Sequence, residues 1–398
     1  MKKIDFSFLF NLIISRMIKK TIKLIKEISP YFGISLIYLL VFLLVVFLFN
    51  YYIPTAALHQ KTNPFLLLVR WDSIHYINIA TGVNQPSVFF PLYPLLIKIL
   101  SFFFSFITSV FLVSFISFSI SLYYLDKLIT RDFGEFISKR SIILLLFFPT
   151  AIFFPLIYTE ALFLALLTAF FYYLGEKKWL VAVIIGFFAS ITRNIGIFLW
   201  PVYLLSLFFN FFPNSWKDVY KNICALLRKK EFWYSFIIPL GLFVYCLYCY
   251  FILGDFLLFI SGQKNWSDTH VFMWPWETLK NFFVIIINNP IEKIGIYNTF
   301  CILFIELGSF ILLSITTIYW IIKKHWFYAI FCLLNTILFS FIFPMTSVNR
   351  YVVVIFPIFI FLSLITKKRD WVFYTILALF FVLFFFNIYL ISTGSWVG

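Results

Sequence analysis

Residues 31–52 read YFGISLIYLLVFLLVVFLFNYY, which is 22 consecutive positions without a charged side chain. At 1.5 Å per residue a helix of that length reaches about 33 Å, enough to cross the hydrocarbon core of a bilayer. Within lipid such a segment must satisfy its own backbone, so a helix is the expected form. The rest of the chain repeats the pattern. Further apolar runs begin near Thr108, Ser141, Ala161, Trp179, Ile195, Phe232, Ile294, Trp326, Tyr351 and Trp371. Apolar residues make up 63% of the 398 positions and charged residues 12%, and the mean hydropathy is +1.01. A soluble domain is about 45–50% apolar and about 25% charged. The sequence therefore predicts an all-α polytopic membrane protein with about 11 transmembrane helices. It excludes a disordered chain, a collagen repeat, a coiled coil and a nucleic-acid-binding domain.

The net charge of +15 fits the same picture. Lysine and arginine on short loops mark the cytoplasmic face and favour anionic lipid. A twelfth apolar stretch, residues 88–106, contains Pro91, Pro94 and Lys98. If it does not cross and the N-terminus is inside, 23 of the 31 Lys and Arg fall on the inner side. A full crossing there would invert every later loop. Residues 88–106 are thus expected to be re-entrant or juxtamembrane; two hidden crossings would also keep the parity. Two outer loops are long, about 52–107 and 254–293, and the first is expected to carry short juxtamembrane helices. Residues 1–30 read as an amphipathic inner-face segment, with Ile18, Ile22 and Ile25 beside Lys19, Lys20, Lys23 and Lys26. Residues 31–393 read as a single transmembrane domain. Of the five cysteines, Cys246 and Cys249 form a C-x-x-C inside an apolar run, which reads as core packing.

The first outer loop holds Arg70-Trp71-Asp72-Ser73-Ile74-His75-Tyr76 and then Phe89-Phe90-Pro91-Leu92-Tyr93-Pro94. A short helix over 72–80 puts Asp72, His75 and Tyr76 on one face. Asp72 is also well placed to cap that helix. Elsewhere Glu160, Arg193 and Arg350 stand at the ends of apolar runs, where ionisable groups are costly and mark functional sites. A carboxylate within reach of a hydroxyl can take its proton. Guanidinium groups match phosphate geometry and stay charged. Structural readings stand beside these: Glu160 can pair with Arg193, Arg350 can cap a helix, and Gln263 and Trp266 can belong to an aromatic belt. His59 and His270 read as incidental, and Asn265-Trp266-Ser267 is an outer-side sequon. Glu306 lies within a span and needs a partner that the sequence does not name.

Trp71-Asp72 with His75-Tyr76-x-x-Ile79-Ala80 and Phe89-Phe90-Pro91-Leu92-Tyr93-Pro94 resembles the family of the second mannosyltransferase of GPI-anchor synthesis and its bacterial relatives. These are GT-C class membrane glycosyltransferases. Phe153-Phe154 with Tyr158-Thr159-Glu160-Ala161-Leu162-Phe163 resembles the same family, as do Thr192-Arg193-Asn194-x-Gly196, Gln263-x-x-Trp266 and Asn349-Arg350-Tyr351 before Phe356-Pro357. The resemblance spans roughly residues 65–365. It implies a GT-C-like fold and transfer of a sugar, usually mannose, from a polyprenyl-monophosphate donor to a glycan or glycolipid acceptor. It further implies an extracytoplasmic active site, inversion at the anomeric carbon, and Asp72 as the base. Arg70, His75, Tyr76, Glu160, Arg193, Gln263, Trp266 and Arg350 are the expected substrate-binding residues. The chain has no D-x-D, and a lipid-phosphate donor needs neither a metal nor a cofactor. The alternative is a transporter or flippase of a lipid-linked glycan. That reading expects inverted repeats and broken helices at the midplane, whereas these charges gather toward one face.

Overall fold

A computed structural model describes residues 6–52, 68–69, 71–85, 87–211, 219–262, 271–288, 305–343, 347–393 and 397. The first helix, α1 (Phe6–Tyr52), joins the basic N-terminal segment to the first apolar run without a break and carries Pro30 inside it. Proline has no N–H for the carbonyl four residues back. Ser29 Oγ donates to that carbonyl, Lys26 O, at 3.0 Å. Two nine-residue helices follow, α2 (Asp72–Ala80) and α3 (Leu92–Leu100). Nine residues rise only about 14 Å, well short of a bilayer core. Tyr93 and Ile97 of α3 are buried against Tyr76 and Ala80 of α2 and Val110 of the next helix, α4 (Phe106–Phe133).

From α4 the chain runs back and forth. Helices α5 (Glu135–Leu146), α6 (Glu160–Gly175), α7 (Trp179–Ser190), α8 (Leu199–Phe211), α9 (Val219–Leu227), α10 (Lys230–Tyr234) and α11 (Ile237–Tyr248) form the first part. After α12 (Leu258–Ser261) and α13 (Pro275–Asn288) come α14 (Leu307–Ile322), α15 (Trp326–Ser340), α16 (Val348–Val352), α17 (Pro357–Ile365) and α18 (Asp370–Thr393). Helix α4 packs on α1, α5 and α6; α7 packs on α6 and α11; α17 lies against α5, and α18 against α1. The shared core includes Phe153, Phe163, Phe170, Tyr203, Trp320, Phe331 and Phe356.

Turn chemistry shows why the hairpins close. Gly134, between α4 and α5, has φ 90°, a conformation open to glycine and strained for other residues. Helices α6 and α14 end alike: Lys177 and Lys324 take left-handed φ of 56° and 57°. The next amide then bonds five residues back, Lys178 N to Tyr173 O at 3.0 Å and His325 N to Trp320 O at 3.1 Å. This is the Schellman closure, normally built on glycine. A lysine there accepts some backbone strain and sets its charge at the negative end of the helix dipole.

Among the described residues, five segments are long and apolar enough to cross a membrane: Ile22–Tyr52, Phe106–Phe133, Asn194–Phe211, Lys230–Leu253 and Asp370–Ser392. Helices α6, α7, α14 and α15 are apolar but shorter. The start of the run expected near Ile294 lies outside the described residues. Among the described runs, two depart from a continuous helix near their middle. The run near Ser141 is helical only to Leu146, then becomes a 3-10 turn at Pro149–Phe153. The run near Tyr351 is divided into α16 and the nine-residue α17. Prolines 149 and 357 each begin a new element, and the irregular residues Val353, Val354 and Ile355 are fully buried. Non-helical backbone is tolerated at such depth when protein surrounds it. A two-residue antiparallel ladder also pairs β1 (Val271–Phe272) with β2 (Ile342–Phe343), an element the sequence pattern did not suggest.

Candidate functional site

Four charged residues from distant parts of the chain meet at the end of the bundle that carries α2, α3 and the start of α6. Glu160 opens α6, where the helix dipole favours a carboxylate, and its side chain is 0% exposed. Arg193 lies in extended backbone between α7 and a 3-10 turn, Asn194–Phe198. Its Nη1 donates to Glu160 Oε1 at 2.8 Å and to Thr159 Oγ1 at 3.0 Å. Gly196 lets that turn lie on α7: a methyl group there would come 2.2 Å from Ala189 O. Arg350, on α16, donates to the same Glu160 oxygen from Nη2 at 3.0 Å and from Nε at 3.2 Å. Arg350 Nη2 also reaches Asp72 Oδ2 at 2.9 Å. The order is therefore Asp72, Arg350, Glu160, Arg193, with two negative charges against two positive.

Asp72 is the first residue of α2, and the cap position falls on Trp71; no side chain caps that helix. The capping role open to Asp72 in the sequence is thus not taken up, because its carboxylate goes to Arg350. It is the most accessible of the four at 20%, against 11% for Arg350 and 8% for Arg193. Aromatic faces complete the site. Arg350 lies 4.7 Å from both the Phe153 and Tyr158 rings, and Arg193 lies 4.2 Å from the Tyr351 ring. Such faces hold a desolvated guanidinium electrostatically. Tyr76 is buried in contact with Phe89 and Tyr93, and burial keeps its phenol protonated well above the usual range. His75 stacks on Phe89 at 4.7 Å.

The segments that present Asp72 and Arg350 share an irregularity. Trp71 and Ser347, the residues immediately before α2 and α16, have φ of 48° and 63°. Non-glycine residues there cost about 1–3 kcal/mol and persist where surrounding contacts dictate them. At Ser347 the contact is Glu306, whose oxygens accept from Ser347 N at 3.0 Å and Asn349 N at 3.1 Å. Thr150 Oγ1 also donates to Asn349 O at 2.8 Å. Glu306 therefore caps the helix that carries Arg350, which supplies the partner the sequence left open.

Arg70, Gln263 and Trp266 lie outside the described residues, as do His59, Asn265 and His270. Sequence reasoning quoted Tyr158, Thr159 and Tyr351 within the motifs that carry the resemblance but gave them no role of their own. Glu160 Oε2, Arg193 Nε and, beside Arg350, Asn349 Oδ1 are buried and without a hydrogen-bond partner among the described residues. An arrangement of this kind can bind an anion with two guanidinium groups while a neighbouring, more exposed carboxylate accepts a proton. No protein-family model, curated protein or solved structure matches the chain.

Proposed function

We propose that the chain is an integral-membrane glycosyltransferase of the GT-C kind, taking a sugar, with mannose first in line, from a polyprenyl-monophosphate donor. The observation that carries this reading is Arg350 held between the accessible Asp72 and the buried Glu160. The acceptor hydroxyl attacks the anomeric carbon and loses its proton to Asp72. The bond from that carbon to the phosphate oxygen breaks with inversion, and polyprenyl phosphate leaves. Arg350 and Arg193 offset the charge that grows on the leaving phosphate. Glu160 keeps both guanidiniums in place, and Glu306 keeps α16 in place.

The topology proposed with it puts the N-terminus and the Lys- and Arg-rich turns in the cytoplasm, with the four-residue cluster on the extracytoplasmic side. In a bacterium that membrane is the cell membrane. Eleven apolar runs, several with irregular backbone, make the crossings. Ser73 is fully buried, whereas Val83, in the turn after α2, is 72% exposed and suits labelling. Val83→Cys should react with an impermeant thiol reagent added from outside; reaction only from the cytoplasmic side overturns the topology. For the activity, purified protein is incubated with polyprenyl-phosphate mannose, and separately with the glucose analogue, with a membrane glycolipid extract as acceptor. Release of polyprenyl phosphate is expected with one of them. No release with either, from folded protein, refutes the proposed reaction.

A further inference from the structure

The opposite end of the bundle holds a cavity of about 450 Å³ between α1, α4 and α6. Its wall mixes charges of both signs with phenol rings. Glu27 and Tyr31 come from α1, Lys127 and Arg131 from α4, and Tyr172 and Glu176 from the end of α6. None of these groups serves the four-residue cluster.

Their existing bonds show what remains available. Asp126, also in the wall, is occupied: it accepts from Tyr31 at 2.5 Å, Ser138 at 2.5 Å and Thr130 at 3.2 Å. Glu27 takes Tyr123 at 2.8 Å and Lys127 at 3.2 Å through Oε2, while Oε1 is met only at long range, 4.0 Å from Lys23. Glu176 is held only at long range, 3.7 Å from Arg131 and 3.9 Å from Lys178. Arg131 already donates to Asp132 from Nε at 2.7 Å and Nη2 at 3.1 Å and to Tyr172 O from Nη1 at 2.8 Å, which leaves one N–H on each terminal nitrogen. Lys127 is one turn away on the same helix face, a spacing that lets two cations share one phosphate. Three carboxylates against two cations make the wall a poor host for a ligand that is only anionic. The two phenol rings add faces suited to an ammonium group.

A second feature says where the rest of the ligand lies. About one turn further along α1, the same α1–α4 seam forms an apolar crevice lined by Ser35, Tyr38, Leu39, Phe111, Phe115 and Phe118. Beside it α1 turns Ile37, Leu40 and Leu44 outward, each more than half exposed. A charged cavity beside an exposed apolar helix face has the form of one lipid molecule, with its headgroup at the charged end and a chain along the outer face of α1.

We propose that this seam is a binding site for a zwitterionic phospholipid whose headgroup carries a primary ammonium, of the phosphatidylethanolamine kind. The phosphate meets Lys127 and the remaining N–H groups of Arg131, and the ammonium donates to Glu176 and to Glu27 Oε1. A quaternary ammonium has no N–H to donate, so the choline analogue loses those bonds. The site is independent of the catalytic reading.

The test is native mass spectrometry of the delipidated full chain titrated with phosphatidylethanolamine, phosphatidylcholine or phosphatidylglycerol of the same acyl chains. Phosphatidylethanolamine should bind about tenfold more tightly than phosphatidylcholine, the worth of one or two charged hydrogen bonds. Glu176→Gln should erase that preference, and Lys127→Met should weaken both zwitterionic lipids. Glu135→Gln, at the same end but outside the cavity, should change nothing and reports on folding. Soluble glycerophosphoethanolamine should not compete at equal concentration, because it lacks the chain. Equal binding of the two zwitterions by the unmodified chain, preference for phosphatidylglycerol, or an unchanged preference in folded Glu176→Gln overturns the proposal. Competition by the soluble headgroup overturns its lipid part.

Discussion

The two ends of the bundle use the same ionic chemistry in opposite ways. At one end Glu135 and Lys139 pair at 2.7 Å on the surface of α5, with side chains 71% and 69% exposed. At the other, Asp72, Arg350, Glu160 and Arg193 interlock with no side chain more than one-fifth exposed. The surface pair costs little to desolvate and contributes little, typically about 0–1 kcal/mol. The buried network pays a desolvation penalty on every member, and an apolar replacement of the same volume is often no less stable. Stability alone does not account for such a network, whereas the proposed reaction, which needs two fixed guanidiniums and a nearby base, would.

The comparison can be broken most severely at Glu160. Glu160→Gln removes the charge that two buried arginines share, and breaking a buried pair costs about 3–5 kcal/mol. A large fall in the unfolding midpoint of purified protein in detergent is expected; a change no larger than that of a surface variant would mean the arginines are not held by this carboxylate. Next comes Asp72→Asn. Arg350 keeps Glu160, so the fold should survive while turnover falls by roughly 10²–10⁴, the usual worth of a positioned base. Near-normal release of polyprenyl phosphate would remove Asp72 from the chemistry and leave it as a partner of Arg350. Glu306→Leu strips two acceptors from the backbone ahead of Arg350 and should cost about 1–3 kcal/mol. Glu306→Gln retains an acceptor and should recover part of that loss in the same melting experiment. The smallest effect belongs to Glu135→Gln, expected within about 0.5 kcal/mol of the parent.

Much of the candidate site was legible because charge is conspicuous in an apolar chain. Glu160, Arg193 and Arg350 each stood out at the end of an apolar run, Asp72 stood out in the first outer loop, and helix α2 fell on the expected residues 72–80. The pairing of Glu160 with Arg193 was among the structural readings, but the connections through Arg350 were not legible. Spacing speaks only for neighbours along a helix, and Glu160 and Arg350 are separated by 190 residues. The pairing of Glu306 with backbone amides was hidden for a related reason: main-chain donors leave no mark in a sequence. Hydropathy likewise registered the runs near Ser141 and Tyr351 as uniform, because it measures burial and is blind to backbone form. Pro149 and Pro357 were the available signs that the helices there are interrupted.

The wide sequence spacing of the ion network also dictates an order of assembly. Glu160 and Arg193 are 33 residues apart and can meet as soon as α7 has been made. Arg350 belongs to the last 49 residues of the chain. Until it emerges, Asp72 has no arginine from α16 to meet, and the strained turn at Ser347 has not formed. The local pair closes early at little entropic cost, and the long loop that joins Asp72 to Arg350 closes last. A nascent or truncated chain would therefore bury its helices before it owned a complete site. Competence would arrive in a single late step rather than accumulate with length.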